Sequence, residues 1–359
     1  MGIQQTMMDF DWSLWKSKEP NYSRYSQTQS IKVYGEHLEV RTGRKPDATI
    51  MILTCRRPQT LKNALESAVS QDFSGTYEII ISDDSGDDPA SYTETDELAR
   101  QYCQKHANIV YYRHERNLGQ YANWNRAVEL CRSEWGGLLH DDDQLYPHYL
   151  TEMCQAASKH PKSGLIGSLF DSTDYPSSPL IQIMMRVFRT LRGGRPIALG
   201  IIDSRNFIFT LCPGMFVNRQ KYLEIGGLDE VSADIGFCSR MSYYHQSVLL
   251  PKVLSDNGTA GGGSLSFSQE ISNTFIISAY KLVYAICQDL GYSARQCAKY
   301  ASRAALYGEV AARGYNNVDY TEVKRSLGMP NSMCNSFAYT VANLRSKLLW
   351  GLLLFRRQQ

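Results

Sequence analysis

The chain has 359 residues, 43% of them hydrophobic and 21% charged, enough apolar content to bury one large core or a main domain with an appendage. A formal net charge of +2 lacks the strongly basic footprint of a dedicated nucleic-acid-binding protein, so no nucleic-acid partner is expected. The nine cysteines run from Cys55 to Cys334 without a C-x-x-C pair or a Cys/His zinc spacing, which argues against a disulfide framework or structural zinc and for a reducing, cytoplasmic setting.

Residues 1–47 are polar, rich in Tyr, Ser and Gln, and without a sustained period; they are expected to form a preamble docked through Trp12 and Trp15. The start MGIQQTMMDFDWSLWK is acidic and aromatic where a signal peptide is basic and then apolar, and no apolar run reaches the roughly 18 residues of a membrane span. From Ala48 the pattern changes. ATIMIL, YEIIIS, NIVYYR and WGGLLH read as strands. Between and after them, PQTLKNALESAVSQ, the stretch around SYTETDELARQYCQKH, GQYANWNRAVELC and residues 147–159 read as helices. Each unit repeats at roughly thirty residues, the length of a βα unit, and near-continuous apolar strands suit a parallel sheet covered on both faces. A doubly wound α/β domain over residues 48–256 is therefore expected.

In such sheets ligands sit beyond the carboxyl ends of the strands. The polar residues fall there: Thr54, Cys55 and Arg56 end the first strand, SDDSGDD (82–88) ends the second, and the fourth ends in LLHDDDQLYPHY (138–149). Asp87 and Asp88 before Pro89 read as a helix cap. Three adjacent carboxylates, Asp141, Asp142 and Asp143, repel one another, so they mark either a solvated loop or the seat of a hard cation such as Mn2+ or Mg2+. The first strand is followed by TCRRPQTLKN, which has neither the G-x-G-x-x-G of a dinucleotide-binding turn nor a P-loop. A nucleotide bound here would need a metal for its phosphates.

T-C-R-R-P, S-D-D-S-G-D, ERNLGQYANWNRAVE, the aspartate cluster followed by a proline, and GGLDEVSADIGFCSR occur in that order. In this the chain from about Ala48 to Ser247 resembles an inverting glycosyltransferase of family 2. The resemblance implies a GT-A fold, a Rossmann-like mixed sheet flanked by helices, here with a C-terminal helical extension. It also implies a metal-dependent transfer of a sugar from a nucleoside-diphosphate-sugar donor to a saccharide or lipid-linked saccharide acceptor, as in bacterial surface-polysaccharide synthesis. By the same resemblance the donor contacts are Thr54, Arg56, Asp83, Asp84, Asn117, Asn125 and Asp141, and the metal ligands Asp142 and Asp143 for Mn2+ or Mg2+. The position often filled by the first aspartate of the metal motif is His140. Asp234 is the candidate general base that takes the acceptor's proton, although Ala233 stands where the family has a glutamate, and Asp229 and Glu230 are its rivals. Asn125 has an alternative reading as an internal hydrogen-bonding residue.

Residues 257–270 read as a Gly/Ser-rich flexible loop over the site, and residues 271–359 as a helical region. The end LRSKLLWGLLLFRRQQ carries Arg345, Lys347, Arg356 and Arg357 around an apolar run. It suits either the surface of an anionic membrane, on its cytosolic face, or burial on the protein. Two other functions remain open at this stage: a nucleotidyltransferase, and a catalytically silent GT-A-like scaffold or saccharide-binding protein.

Overall fold

The segment before residue 48 supplies the edge of the main sheet. Strand β1 (Ser30–Tyr34) pairs antiparallel with β4 (Ile109–His114), and helix α1 (Leu38–Thr42) follows. That helix is tied to the sheet where Glu78 accepts the Leu38 N–H at 2.8 Å, while the His37 ring lies between Glu78 (2.8 Å) and the Tyr112 hydroxyl (2.7 Å). The computed structural model describes residues 11–17, 29–171, 196–199, 201, 213–229, 233–256, 258 and 269–301.

The interior strands are β2 (Ala48–Thr54), β3 (Tyr77–Asp83) and β5 (Trp135–His140), with helices α2 (Pro58–Val69), α3 (Pro89–Lys105) and α4 (Gln120–Leu130) in the crossovers. Every residue of β2 is buried because its faces serve two cores. Ile50 and Ile52 pack with Leu61, Leu65 and Tyr149, whereas Met51 and Leu53 pack with Trp124, Val128 and Phe237. Each fully buried side chain of this size contributes about 1.5–3 kcal/mol. Helix α2 starts at Pro58, which needs no N–H at that position, and buries Leu61, Ala64, Leu65 and Ala68 at helical spacing. Helix α3 is capped by Asp88, whose carboxylate accepts the Ala90 N–H at 3.1 Å.

The chain continues through β6 (Gln144–Leu145), α5 (Tyr149–Lys159), β7 (Ser163–Asp171), β8 (Ile197–Leu199), β9 (Phe216–Asn218), α6 (Arg219–Glu224), α7 (Ala233–Tyr244) and β10 (Gln246–Asp256). The described strands form one sheet in the order β1-β4-β3-β2-β5-β9-β7-β10-β6, with β8 on β10. Strands β4, β3, β2 and β5 run parallel, and β9 lies antiparallel to both β5 and β7. This is the mixed α/β sheet flanked by helices that the sequence leads one to expect.

The chain divides into two compact units, one of residues 14–174 with 196–260, the other of residues 1–13, 175–195 and 261–359. In the first, Trp15 makes an edge contact with Tyr243 at 5.4 Å between centroids, and the Tyr244 hydroxyl donates to the Lys16 carbonyl at 2.8 Å. In the second, helix α8 (Gln269–Asp289) is followed by a helix beginning at residue 294, and Val283, Cys287, Cys297 and Ala301 are packed together. No helix among the described residues is long and apolar enough to cross a membrane. The basic tail at 341–359 and most of the glycine-rich stretch lie outside the described residues.

Candidate active site

Parallel register brings the strand ends level. Thr54 pairs with Asp83 across β2 and β3, and Leu53 with His140 across β2 and β5. The chain therefore leaves three adjacent strands at one edge of the sheet, and the polar tips of TCRR, SDDSGDD and HDDD meet there. Backbone bonds extend the ladders past the strands, from Asp84 N–H to the Thr54 carbonyl (2.9 Å) and from Asp141 N–H to the Leu53 carbonyl (3.1 Å).

Four carboxylates form an inner, buried layer: Asp83, Asp84, Asp141 and Asp143. Asp83 accepts from the Ser85 N–H (2.9 Å), the Ser85 hydroxyl (2.5 Å) and the Tyr111 hydroxyl (2.8 Å). Asp84 reaches across to the start of α4, accepting the N–H groups of Leu118 (2.6 Å) and Gly119 (2.9 Å), where a negative charge also meets the positive end of the helix. Its carbonyl takes the Asn117 side-chain amide at 2.7 Å. Asp141 accepts the Thr54 hydroxyl at 2.7 Å and pairs with Arg57 at 2.5 Å. Asp143 faces the His140 ring at 3.3 Å. Burial disfavours the charged form of each. It pushes Asp84 up to about 7 despite its two N–H partners, and Asp141 up to about 6 despite the Arg57 charge. Asp83 and Asp143 are raised for the same reason. The Cys55 thiol is pushed up to about 11 by burial and the nearby Asp84, so it stays protonated.

An outer layer is open to solvent: Arg56 and Asn117 are exposed, while Cys55, Arg57, His140 and Asp142 are half-buried. Arg56 has a left-handed backbone, φ 58°, sustained by its N–H bond to the Ser85 hydroxyl at 3.0 Å. Such a conformation costs roughly 1–2 kcal/mol in a side-chain-bearing residue. One ligand atom each from His140, Asp142 and Asp143 lies within 4.8 Å of the others, a spacing that suits a single divalent cation. Gly258, just past β10, lies against the backbone of Asp142 and Asp143. A Cβ there would overlap the Asp142 carbonyl oxygen, and the Gly258 N–H donates to the Asp143 carboxylate.

Thr54, Arg56, Asp83, Asp84, Asn117, Asp141, Asp142 and Asp143 thus come together, and Asn125 does something else. Its amide donates to the Leu228 carbonyl (2.9 Å), and its oxygen accepts from the Leu228 N–H (2.9 Å) and the Tyr222 hydroxyl (2.7 Å). It ties α4 to the GGLD segment, where Gly227 holds φ 66° and a Cβ would press within 2.5 Å of the Asn125 oxygen. In the same segment Asp229 pairs with the buried Arg240 at 2.7 Å, which also donates to the Gly227 carbonyl at 2.6 Å. Asp234 falls in the first turn of α7; its side chain and all of Glu230 lie outside the described residues. Arg126 pairs with Glu129 on its own helix at 2.7 Å. Arg57 and Gly258 are members of the site that sequence reasoning did not single out. The available signal for Arg57 was its place directly before Pro58, where it becomes the N-cap of α2.

Residues 49–225 match the model of the family described as glycosyl transferase family 2. The chain carries a glycosyltransferase family 2 domain. An uncharacterized glycosyltransferase of Methanocaldococcus jannaschii is 31% identical to it over 107 residues, 30% of this chain and 35% of that protein. The chain thus matches about a third of the length of that curated relative. Among solved structures, S. aureus TarS 1–349 in complex with UDP-GlcNAc superposes with a TM-score of 0.51 at 14% identity, covering 79% of this chain and 93% of that one. The mannosyltransferase PcManGT from Pyrobaculum calidifontis, in complex with GDP-Man and Mn2+, gives 0.51 at 12% identity over 100% of both chains. At these identities the likeness is one of fold, and the family 2 domain has the GT-A fold.

Proposed function

We propose that the family 2 domain is a metal-dependent inverting glycosyltransferase, moving a sugar from a nucleoside diphosphate to a saccharide or lipid-linked saccharide acceptor in bacterial surface-polysaccharide assembly. The observation that carries this reading is the two-layered site at the ends of β2, β3 and β5. A buried carboxylate network fixes the loops, and a rim of Arg56, Arg57, Asn117, His140 and Asp142 is left accessible to a ligand. Two proteins of the same fold are complexes with UDP-GlcNAc and with GDP-Man plus Mn2+, which supports a nucleoside-diphosphate-sugar as the donor class here.

His140, Asp142 and Asp143 would hold the cation; their two carboxylates suit Mn2+ or Mg2+, and the imidazole favours Mn2+. Bound there, it would offset the charge of the departing diphosphate. Asn117 and Arg56 offer hydrogen-bond donors to the base, ribose or phosphates. Asp83 and Asp84 act through the loops they hold: Asp83 shapes the turn at Ser85, and Asp84 fixes the Asn117–Gly119 approach to α4. Asp234, at the start of α7, takes the acceptor hydroxyl proton as that oxygen attacks the anomeric carbon opposite the leaving phosphate. Asp229 is spent on Arg240, which leaves Asp234 the stronger choice of those two. The test is Asp234→Asn, assayed for nucleotide binding and for sugar transfer. The reading expects intact binding and lost transfer; near-normal turnover would move the base elsewhere.

A further inference from the structure

We infer that Arg57 is the resident cation of the aspartate cluster, holding Asp142 until a diphosphate draws one arm of its guanidinium away, so that divalent cation and nucleoside diphosphate enter together. The inference rests on the proposed donor site and assigns this site its order of binding.

The two arms of the guanidinium are unequal. Nη2 meets Asp141 at 2.5 Å and Nη1 meets Asp142 at 3.0 Å, with the Arg57 side chain 35% exposed, Asp141 0% and Asp142 15%. The Asp141 arm is the fixed one: Asp141 also accepts the Thr54 hydroxyl at 2.7 Å, and breaking the pair would strand a wholly buried charge. The Asp142 arm is exchangeable. It lies nearer solvent, and Asp142 is shared with the cation group formed by His140 and Asp143. Arg57 is thereby hinged on Asp141, and Asp141 is a positioning residue for the guanidinium.

A divalent cation in that group and the guanidinium would compete for one carboxylate and repel each other. Entry of the cation alone is therefore opposed. A diphosphate reverses the balance, since its charged oxygens accept the Nη1 arm at least as well as a single carboxylate does. With Nη1 turned to phosphate, Asp142 is released to the cation. Arg56 does not duplicate the role, because its guanidinium donates to the Ser85 carbonyl at 3.3 Å, toward the β3 loop.

The test is calorimetry on the full chain, wild type and Arg57→Gln, titrating MnCl2 alone and then UDP, GDP, CDP and dTDP at saturating Mn2+. Gln removes the charge and is too short to reach Asp142, and Arg57→Lys, which keeps the charge without the fork, serves as the second variant. The expected result is opposite in sign for the two ligands: Arg57→Gln takes Mn2+ alone about 10-fold more tightly than wild type and nucleoside diphosphate about 10-fold more weakly. Arg57→Lys stays as weak as wild type toward Mn2+ alone. A general loss of structure would weaken both. If wild type binds a nucleoside diphosphate only with metal, yet Arg57→Gln gains no affinity for Mn2+, the inference is overturned and the donor site stands. If no form of the protein takes Mn2+ or any of the nucleotides, both fall.

Discussion

Replacing Asn125 by Ala separates its two readings, a donor contact and an internal tie between α4 and the GGLD segment. The side chain is buried and makes three hydrogen bonds of 2.7–2.9 Å, to the Tyr222 hydroxyl and to both backbone groups of Leu228. Truncation leaves three buried polar groups without their partner, each worth about 1–3 kcal/mol. Because the segment can shift to recover part of that, a loss of about 4 kcal/mol is expected, lowering Tm by about 10 °C in a body of this size. The assay is thermal unfolding followed by near-UV circular dichroism, paired with nucleotide titration well below the new Tm. The structure predicts a large fall in Tm and unchanged nucleotide affinity. An unchanged Tm with lost nucleotide affinity would refute the reasoning and return Asn125 to the donor site.

His114 gives a pH signature. Its Nε2–H donates to the Asn123 side-chain oxygen at 3.0 Å, its Nδ1 accepts from the Ser30 hydroxyl at 2.9 Å, and burial lowers its pKa to about 4 from 6.5. Below pH 6.5 the unfolded chain binds a proton that native His114 refuses until about pH 4. Stability should therefore fall as pH drops through that window, by on the order of 3 kcal/mol in full; denaturant titrations in which His114→Asn keeps the same slope would contradict this. Gly258→Ala should push the Asp142–Asp143 turn aside and cut turnover on the order of 100-fold without unfolding the chain. Normal turnover would make the close fit incidental. Deleting residues 341–359 should release the chain from anionic vesicles and leave nucleotide binding intact; vesicle binding that survives the deletion would remove the membrane-surface reading.

Parallel interior strands were legible because ATIMILT and YEIIISD are covered on both faces and read as near-continuous apolar runs. The meeting of TCRR, SDDSGDD and HDDD followed, since parallel strands put their ends at one edge. Strand β1 was not legible: SIKVY is half exposed and sits within a polar segment, and only its pairing with β4 makes it a strand. The two- and three-residue strands β6, β8 and β9 carry no period to detect. Within the site, residue type gave the chemistry and geometry divided the labour. Nothing in the run of three aspartates says that Asp141 points inward to Thr54 and Arg57 while Asp142 stays accessible, or that Asp84 is held by the start of the next helix. Asn125 shows the same limit, because an amide in a helix of this motif suits a ligand or a neighbouring backbone equally, and its partners at Leu228 are over a hundred positions away.

The most direct test of the account is calorimetric binding of UDP and GDP, each with Mn2+ and with EDTA, to the wild type and to Asp142→Ala. The account predicts binding of at least one nucleotide that requires the metal and disappears in the variant. Binding equal with and without metal and untouched by the substitution would contradict it, leaving HDDD a structural turn at the end of β5, held by Thr54 and Arg57, rather than a seat for the diphosphate.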